Sequence, residues 1–468
     1  MKRELNPVEM PELPASERIK DFCEVALGYT EEQAIKEAQR CLQCKNPTCI
    51  SGCPVEIDIK SFIKKITDKN YDEAIKIIKQ KNNLPAICGR VCPQEKQCQM
   101  KCVLSKKNIP VRIGALERFV SDYERNKNKG KFEEEKFIKT TQKIKIAIIG
   151  SGPAGLTCGG VLSKTGKFDV TIYEALHYPG GVLSYGIPSF RLPREILEYE
   201  LKYIRSLGVK IITDTVIGKV YSIKELFDMG YKAIFIGSGA GLPIFPNIDG
   251  ENLCRIYSAN EFLTRINFMH ANKFPEYDTP LNLGDNIVVI GGGNTAMDAA
   301  RSAIRLIRKN TAKVTVLYRR TETEMPARTE EIKHAKQEGI NFMFLIQPLK
   351  FIGNQQNFVE GIECIKCQLG EPDSSGRRRP VPVKGTEFIF ECDTVILALG
   401  LKANPLIPKF TPELKTNKKG DIIVNTDTME TSIENVYAGG DIICGEGTVI
   451  EAMGTAKKAA ESIIKKFC

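Results

Sequence analysis

Eight cysteines crowd residues 41–102 in two runs. Cys41, Cys44, Cys49 and Cys53 are followed at once by Pro54; Cys88, Cys92, Cys98 and Cys102 enclose Pro93. Thiolates at such short spacings converge on a metal centre, and C-x2-C-x4-C-x3-C-P is close to the bacterial ferredoxin run. Two four-cysteine zinc ribbons are the rival reading, and the proline after Cys53 favours iron–sulfur. The local grouping is one cluster per run. In two-cluster ferredoxins, however, the cysteine before proline ligates the other cluster. On that pattern Cys53 joins the second group, the first group needs another ligand, and one cysteine of the second run is spare.

The next chemistry-bearing residues are glycines. Ile144 to Ile149 is a short apolar run, and Gly150-Ser151-Gly152-Pro153-Ala154-Gly155 follows as G-x-G-x-x-G, with Glu174 closing the next apolar segment. Such glycines allow a tight turn and close approach to a pyrophosphate at a helix N-terminus, while the acid receives the adenosine ribose. Gly181-Val182-Leu183 and, near the C-terminus, Gly440-Asp441 before Thr448-Val449 make that nucleotide FAD. The aspartate suits the ribitol and diphosphate side, and a helix opening at Thr448 presents its positive end to the flavin pyrimidine, where reduction adds negative charge. A flavin downstream is a further argument for redox clusters over zinc. The second motif, Gly291, Gly293, Asn294, Thr295 and Ala296 with Asp298 beyond, is the variant ending in alanine. Its second strand ends in Arg319 and Arg320 rather than an acid. Guanidinium groups pair bidentately with a 2′-phosphate, so NADPH is expected over NADH.

These groups need scaffolds. The 468 residues suffice for about three domains at roughly 150 residues each. Thr30 to Gln33 is a capping box opening a helix that ends at Cys41, and Ile59, Phe62, Ile63 and Ile66 recur with helical period. The reading is α/β: a helical iron–sulfur domain at 1–130, a charged linker at 131–143, an FAD domain at 144–253 and 391–468, and an NADPH domain at 254–390 inserted in it. Two Rossmann-like domains therefore follow the helical one. Hydrophobic content of 42% and charged content of 26% suit a globular chain. No apolar run reaches the roughly 18 residues of a membrane span, and nothing resembles a signal peptide, so a cytoplasmic location is expected. The net charge of +10 fits an acidic protein partner better than nucleic acid, since no basic motif interleaves with aromatics. His177, His270 and His334 are too dispersed for a metal site and read as packing or surface residues. Cys364 and Cys367 sit three apart on an expected strand and point to opposite faces, which argues against a redox dithiol.

Across nearly its whole length the chain resembles the small subunit of bacterial glutamate synthase and its relatives. These include the large subunit of NADH-dependent ferredoxin:NADP⁺ oxidoreductase and the N-terminal half of dihydropyrimidine dehydrogenase. The stretches that carry the likeness are Arg40–Cys44, Cys88–Pro93, Gly181–Pro188 and Gly291–Asp298. The resemblance implies two 4Fe–4S clusters, FAD and NADPH. It implies that Cys41, Cys44 and Cys49 share one cluster with Glu117, the acid of a P-x-x-x-G-x-L-[QE] stretch beginning at Pro110. Cys53, Cys92, Cys98 and Cys102 then hold the other, leaving Cys88 free. It also implies a protein partner: the large subunit of glutamate synthase, or ferredoxin and an NADH-binding subunit. A stand-alone NADPH reductase of small acceptors and a redox-silent adaptor remain alternatives at this stage. No catalytic acid–base triad is expected, because hydride transfer needs stacked cofactors more than proton transfer.

Overall fold

The computed structural model describes residues 6–132, 143–307, 311–373 and 375–468. Most of the expected linker, residues 133–142, lies outside the described residues. Before it the chain is helical. Thr30 caps Glu31–Gln39 through the reciprocal box with Gln33, and Asp58 caps Ile59–Thr67. The latter buries Ile59, Phe62, Ile63 and Ile66, the stripe visible in its sequence. Further helices are Tyr71–Lys79, Pro85–Val91 and Ile113–Lys127.

Two five-stranded parallel sheets follow. The first is ordered Val436–Ala438, Ala233–Ile236, Ile144–Ile149, Phe168–Tyr173 and Lys210–Ile212. The second is ordered Ile256–Ser258, Thr394–Leu397, Asn286–Ile290, Lys313–Tyr318 and Asn341–Phe344. Central strands such as Ala233–Ile236 are buried at every residue, as a sheet covered by helices on both faces requires. The chain leaves the first sheet through Ala240–Pro243 and returns through Leu401–Ala403, two segments paired antiparallel. One unit is thus inserted in the other, as expected, but the boundary at residue 391 is corrected. Thr394–Leu397 pairs with Asn286–Ile290 and belongs to the inserted unit. An antiparallel sheet of Ile346–Gly353, Val359–Pro372, Arg378–Pro382 and Phe388–Glu391 elaborates that unit, with Arg377 in the turn between its second and third strands. The strand reading for Cys364 and Cys367 holds, and both thiols are buried.

The helical unit lies against the first Rossmann unit, on helices Pro153–Lys164 and Val449–Phe467. A Cβ on Gly454 would come within 2.8 Å of the Pro54 carbonyl, and one on Gly160 within 2.6 Å of Asn83 Nδ2. Lys457 Nζ donates to the Val55 carbonyl at 3.0 Å. Among the described residues no helix is long and apolar enough to cross a membrane.

Candidate functional site

Both glycine motifs border one cavity of about 1060 Å³, at or above the upper end of the usual range for a single small ligand. Gly150, Gly152, Pro153, Ala154, Glu174, Gly181, Val182, Gly440, Asp441, Thr448 and Val449 line it from the first unit. Gly291, Gly293, Asn294, Thr295, Asp298, Arg319 and Arg320 line it from the second. Gly155 and Leu183 are buried behind that wall. Gly150 has φ +95° and turns the strand into the helix; a Cβ there would meet the Gly237 carbonyl at 2.6 Å. A Cβ on Gly152, by contrast, would meet nothing within 4 Å, and one on Gly293 only Pro326 at 4.0 Å. The central glycine of each motif therefore leaves room for a backbone-hugging ligand. Ser238, on the same wall, has a buried hydroxyl without a hydrogen-bond partner among the described residues. Glu174 accepts from Ser151 N–H at 2.8 Å and Leu176 N–H at 2.9 Å, which fixes the acid beside the glycine turn. These features suit a dinucleotide at each motif.

Helix Val449–Phe467 opens on the cavity with a Thr448–Glu451 capping box. Burial pushes the Asp441 carboxyl up to about 6, with Glu446 adding to the shift. Asp298 borders the cavity, but both its oxygens accept from Arg191 Nη1 at 2.7 and 2.8 Å. It therefore ties the two Rossmann units together.

The eight cysteines lie in two groups, and these differ from the ligand sets that the resemblance implies. The resemblance puts Cys102 with Cys53, Cys92 and Cys98, and Glu117 with the first three cysteines. Instead Cys41, Cys44, Cys49 and Cys102 line one shallow hollow with Leu42, Pro47, Lys60 and Val103. Thr48 Oγ1 donates to the Lys101 carbonyl at 2.6 Å and draws Cys102 toward Cys49. Glu117 lies among Cys53, Cys88, Cys92 and Cys98, all of which feel its charge. Its helix packs so tightly on Pro85–Val91 that a Cβ on Gly89 would sit 2.6 Å from Arg118 N. Asn82 Nδ2 donates to Glu117 at 2.8 Å, and burial raises this carboxyl to about 8. Cys53 thus lies with cysteines of the second run, and Cys102 with those of the first.

Burial holds the Cys49 thiol at about 12 and Cys53 at about 11, so these two thiols carry protons until a metal displaces them. Among the described residues the only three His, Cys, Asp or Glu ligand atoms within 4.8 Å of one another belong to Glu12, Glu330 and His334. Arg18 and Arg328 already pair with two of these acids. Four thiolates on one zinc would lie about 3.8 Å apart at zinc–sulfur distances of about 2.3 Å, closer than any three of these thiols. The Glu117 group is the one nearer the cavity: Cys88 Sγ lies 3.5 Å from Met453 Sδ, on the helix whose first turn lines that cavity.

Comparison with known proteins finds the same order of an iron–sulfur unit and a nucleotide-binding unit. Residues 18–129 match the model for the dihydropyrimidine dehydrogenase domain II 4Fe–4S cluster family, and residues 144–462 match pyridine nucleotide–disulphide oxidoreductases. The chain is 35% identical to the Escherichia coli glutamate synthase [NADPH] small chain, covering 98% of this chain and 97% of that one. It is 37% identical to the NADP(+)-dependent formate dehydrogenase subunit beta of Moorella thermoacetica, covering 89% of this chain but 59% of the relative. A structure of Mycobacterium tuberculosis FprA in complex with NADPH shares the fold, with a TM-score of 0.58 and 21% identity over 69% of this chain and 84% of that one. The chain belongs to the pyridine nucleotide–disulphide oxidoreductases and, within them, to the iron–sulfur relatives that include the glutamate synthase small subunits.

Proposed function

We propose that the chain is an NADPH-oxidising electron-transfer subunit, the small-subunit partner in a glutamate synthase-type complex. The observation that carries this reading is the packing of Cys53-Pro54 and Cys88 on Met453 and Gly454, which joins one thiol group to the nucleotide cavity. When bound, FAD supplies the exchange between a two-electron hydride donor and single-electron carriers. The first Rossmann unit holds FAD through Gly150, Gly152, Glu174, Gly181 and Asp441, and the second holds NADPH through Gly291, Gly293, Asn294 and Thr295. Arg191 and Asp298 fix the angle between the units, as hydride transfer demands. Cys53, Cys92, Cys98 and Glu117 hold an inner 4Fe–4S cluster. Cys41, Cys44, Cys49 and Cys102 hold an outer one, opening on a surface that carries exposed Leu42, Met100 and Val103. That surface faces the partner.

Near-full-length similarity to small chains of glutamate synthase supports this partner. The test is reconstitution with a glutamate synthase large subunit. NADPH-driven, glutamine-dependent glutamate formation is expected; NADPH oxidation without glutamate, accompanied by ferredoxin reduction, would transfer the assignment to a bifurcating complex.

A further inference from the structure

Arg319 and Arg320 both border the cavity, but the fold uses them differently. Arg320 is buried: Nη2 donates to Asp373 Oδ2 at 2.7 Å, and Nε donates to the Arg378 carbonyl at 2.7 Å. Both acceptors lie on the hairpin between Val359–Pro372 and Arg378–Pro382. Asp373 neutralises Arg320, so that guanidinium works as a strut. Arg319 is exposed at the end of its strand. The hairpin is closed by Asp373 N–H to the Arg377 carbonyl at 2.8 Å and Gly376 N–H to the Asp373 carbonyl at 2.9 Å. Of its three consecutive arginines, Arg377 is the one that borders the nucleotide cavity. Arg378 turns back onto the Leu369 and Gly370 carbonyls at 3.1 and 3.2 Å. Arg377 donates from Nε to Ser375 Oγ at 2.9 Å, a bond that does not use the two terminal nitrogens of its fork.

We propose that Arg377, reaching in from the hairpin, recognises the 2′-phosphate of NADPH together with Arg319, while Arg320 and Asp373 position that hairpin against the strand end. The inference rests on the NADPH reading above. A phosphate monoester carries close to two negative charges at neutral pH, and planar guanidinium forks meet it with paired, charge-assisted hydrogen bonds. A ribose hydroxyl offers no comparable charge. The hairpin is therefore a specificity element that strand and glycine motif alone do not supply.

Calorimetric titration of the cofactor-loaded protein with adenosine 2′,5′-bisphosphate and with 5′-AMP tests this. The unaltered protein binds the bisphosphate more tightly. Arg377→Ala weakens the bisphosphate about tenfold or more, about 1.4 kcal/mol per decade, and leaves 5′-AMP in place. Asp373→Ala, which removes the strut's partner, gives the same selective loss, whereas a merely structural defect would weaken both probes alike. Bisphosphate discrimination in the unaltered protein with either variant binding it undiminished would overturn this assignment alone. Equal binding of the two probes by the unaltered protein would remove the NADPH reading and this assignment with it.

Discussion

Which thiols share a cluster can be read from paired substitutions. Because Cys102 lies with Cys41, Cys44 and Cys49, Cys102→Ser and Cys41→Ser should each lose about half the iron of a two-cluster protein and leave the same surviving electron paramagnetic signal. Glu117→Ala should instead resemble Cys53→Ser. If Cys102→Ser matched Cys53→Ser, the grouping by geometry would be wrong. The two runs and the exchange of Cys53 were legible because thiol spacing and the following proline are local features. The partners of Cys102 and Glu117 were not. They depend on the Thr48–Lys101 bond and on how closely the Gly89 backbone meets Arg118, contacts between segments that no spacing records. Arg320 teaches the same lesson: its neighbour in sequence is another arginine, but its neighbour in space is Asp373.

Helix Pro85–Val91 carries Cys88 and leads to Cys92, and its first turn is held from the other unit. Glu200, on helix Arg194–Ser206, accepts from Ala86 N–H at 2.6 Å, and its carboxyl is buried. Burial raises that carboxyl from 4.5 to about 8. The folded chain therefore keeps this proton between those values, while the unfolded chain releases it. The resulting stability is fully present below about pH 4.5 and is lost as pH rises toward 8. Glu200→Gln keeps an acceptor for Ala86 and removes the titration. The gap in melting temperature between variant and parent should thus shift in the variant's favour from pH 5 to pH 8. A gap independent of pH would contradict the account. At this scale the helices and strands themselves were largely readable, from the Thr30 box to the apolar strands. The run Thr394–Leu397 shows the limit: an apolar segment announces a buried strand without saying which of two sheets will take it.

The whole molecule depends on how three units meet. Between the Rossmann units, Arg191 grips Asp298 at 2.7 Å and Glu331 at 3.1 Å, and within the inserted unit Arg301 Nη2 and Arg305 Nη1 share Glu338 at 2.6 and 2.8 Å. All are buried. Removing one member leaves an uncompensated buried charge, a loss of about 3–5 kcal/mol. Arg191→Met should lower the melting temperature and slow flavin reduction by NADPH at saturating nucleotide, since the angle between the units is what it fixes. Unchanged reduction kinetics in a folded Arg191→Met protein would show that Asp298 serves the nucleotide rather than the interface. On the proposed reading, electrons enter from NADPH at the cavity and leave through the thiol-bound clusters. The decisive experiment is anaerobic stopped-flow absorbance of the cofactor-loaded protein, mixed in turn with NADPH and NADH. NADPH should bleach the flavin band first and the broad iron–sulfur absorbance after it, with NADH much slower. Flavin and iron both present but unreduced by either nucleotide would contradict the account.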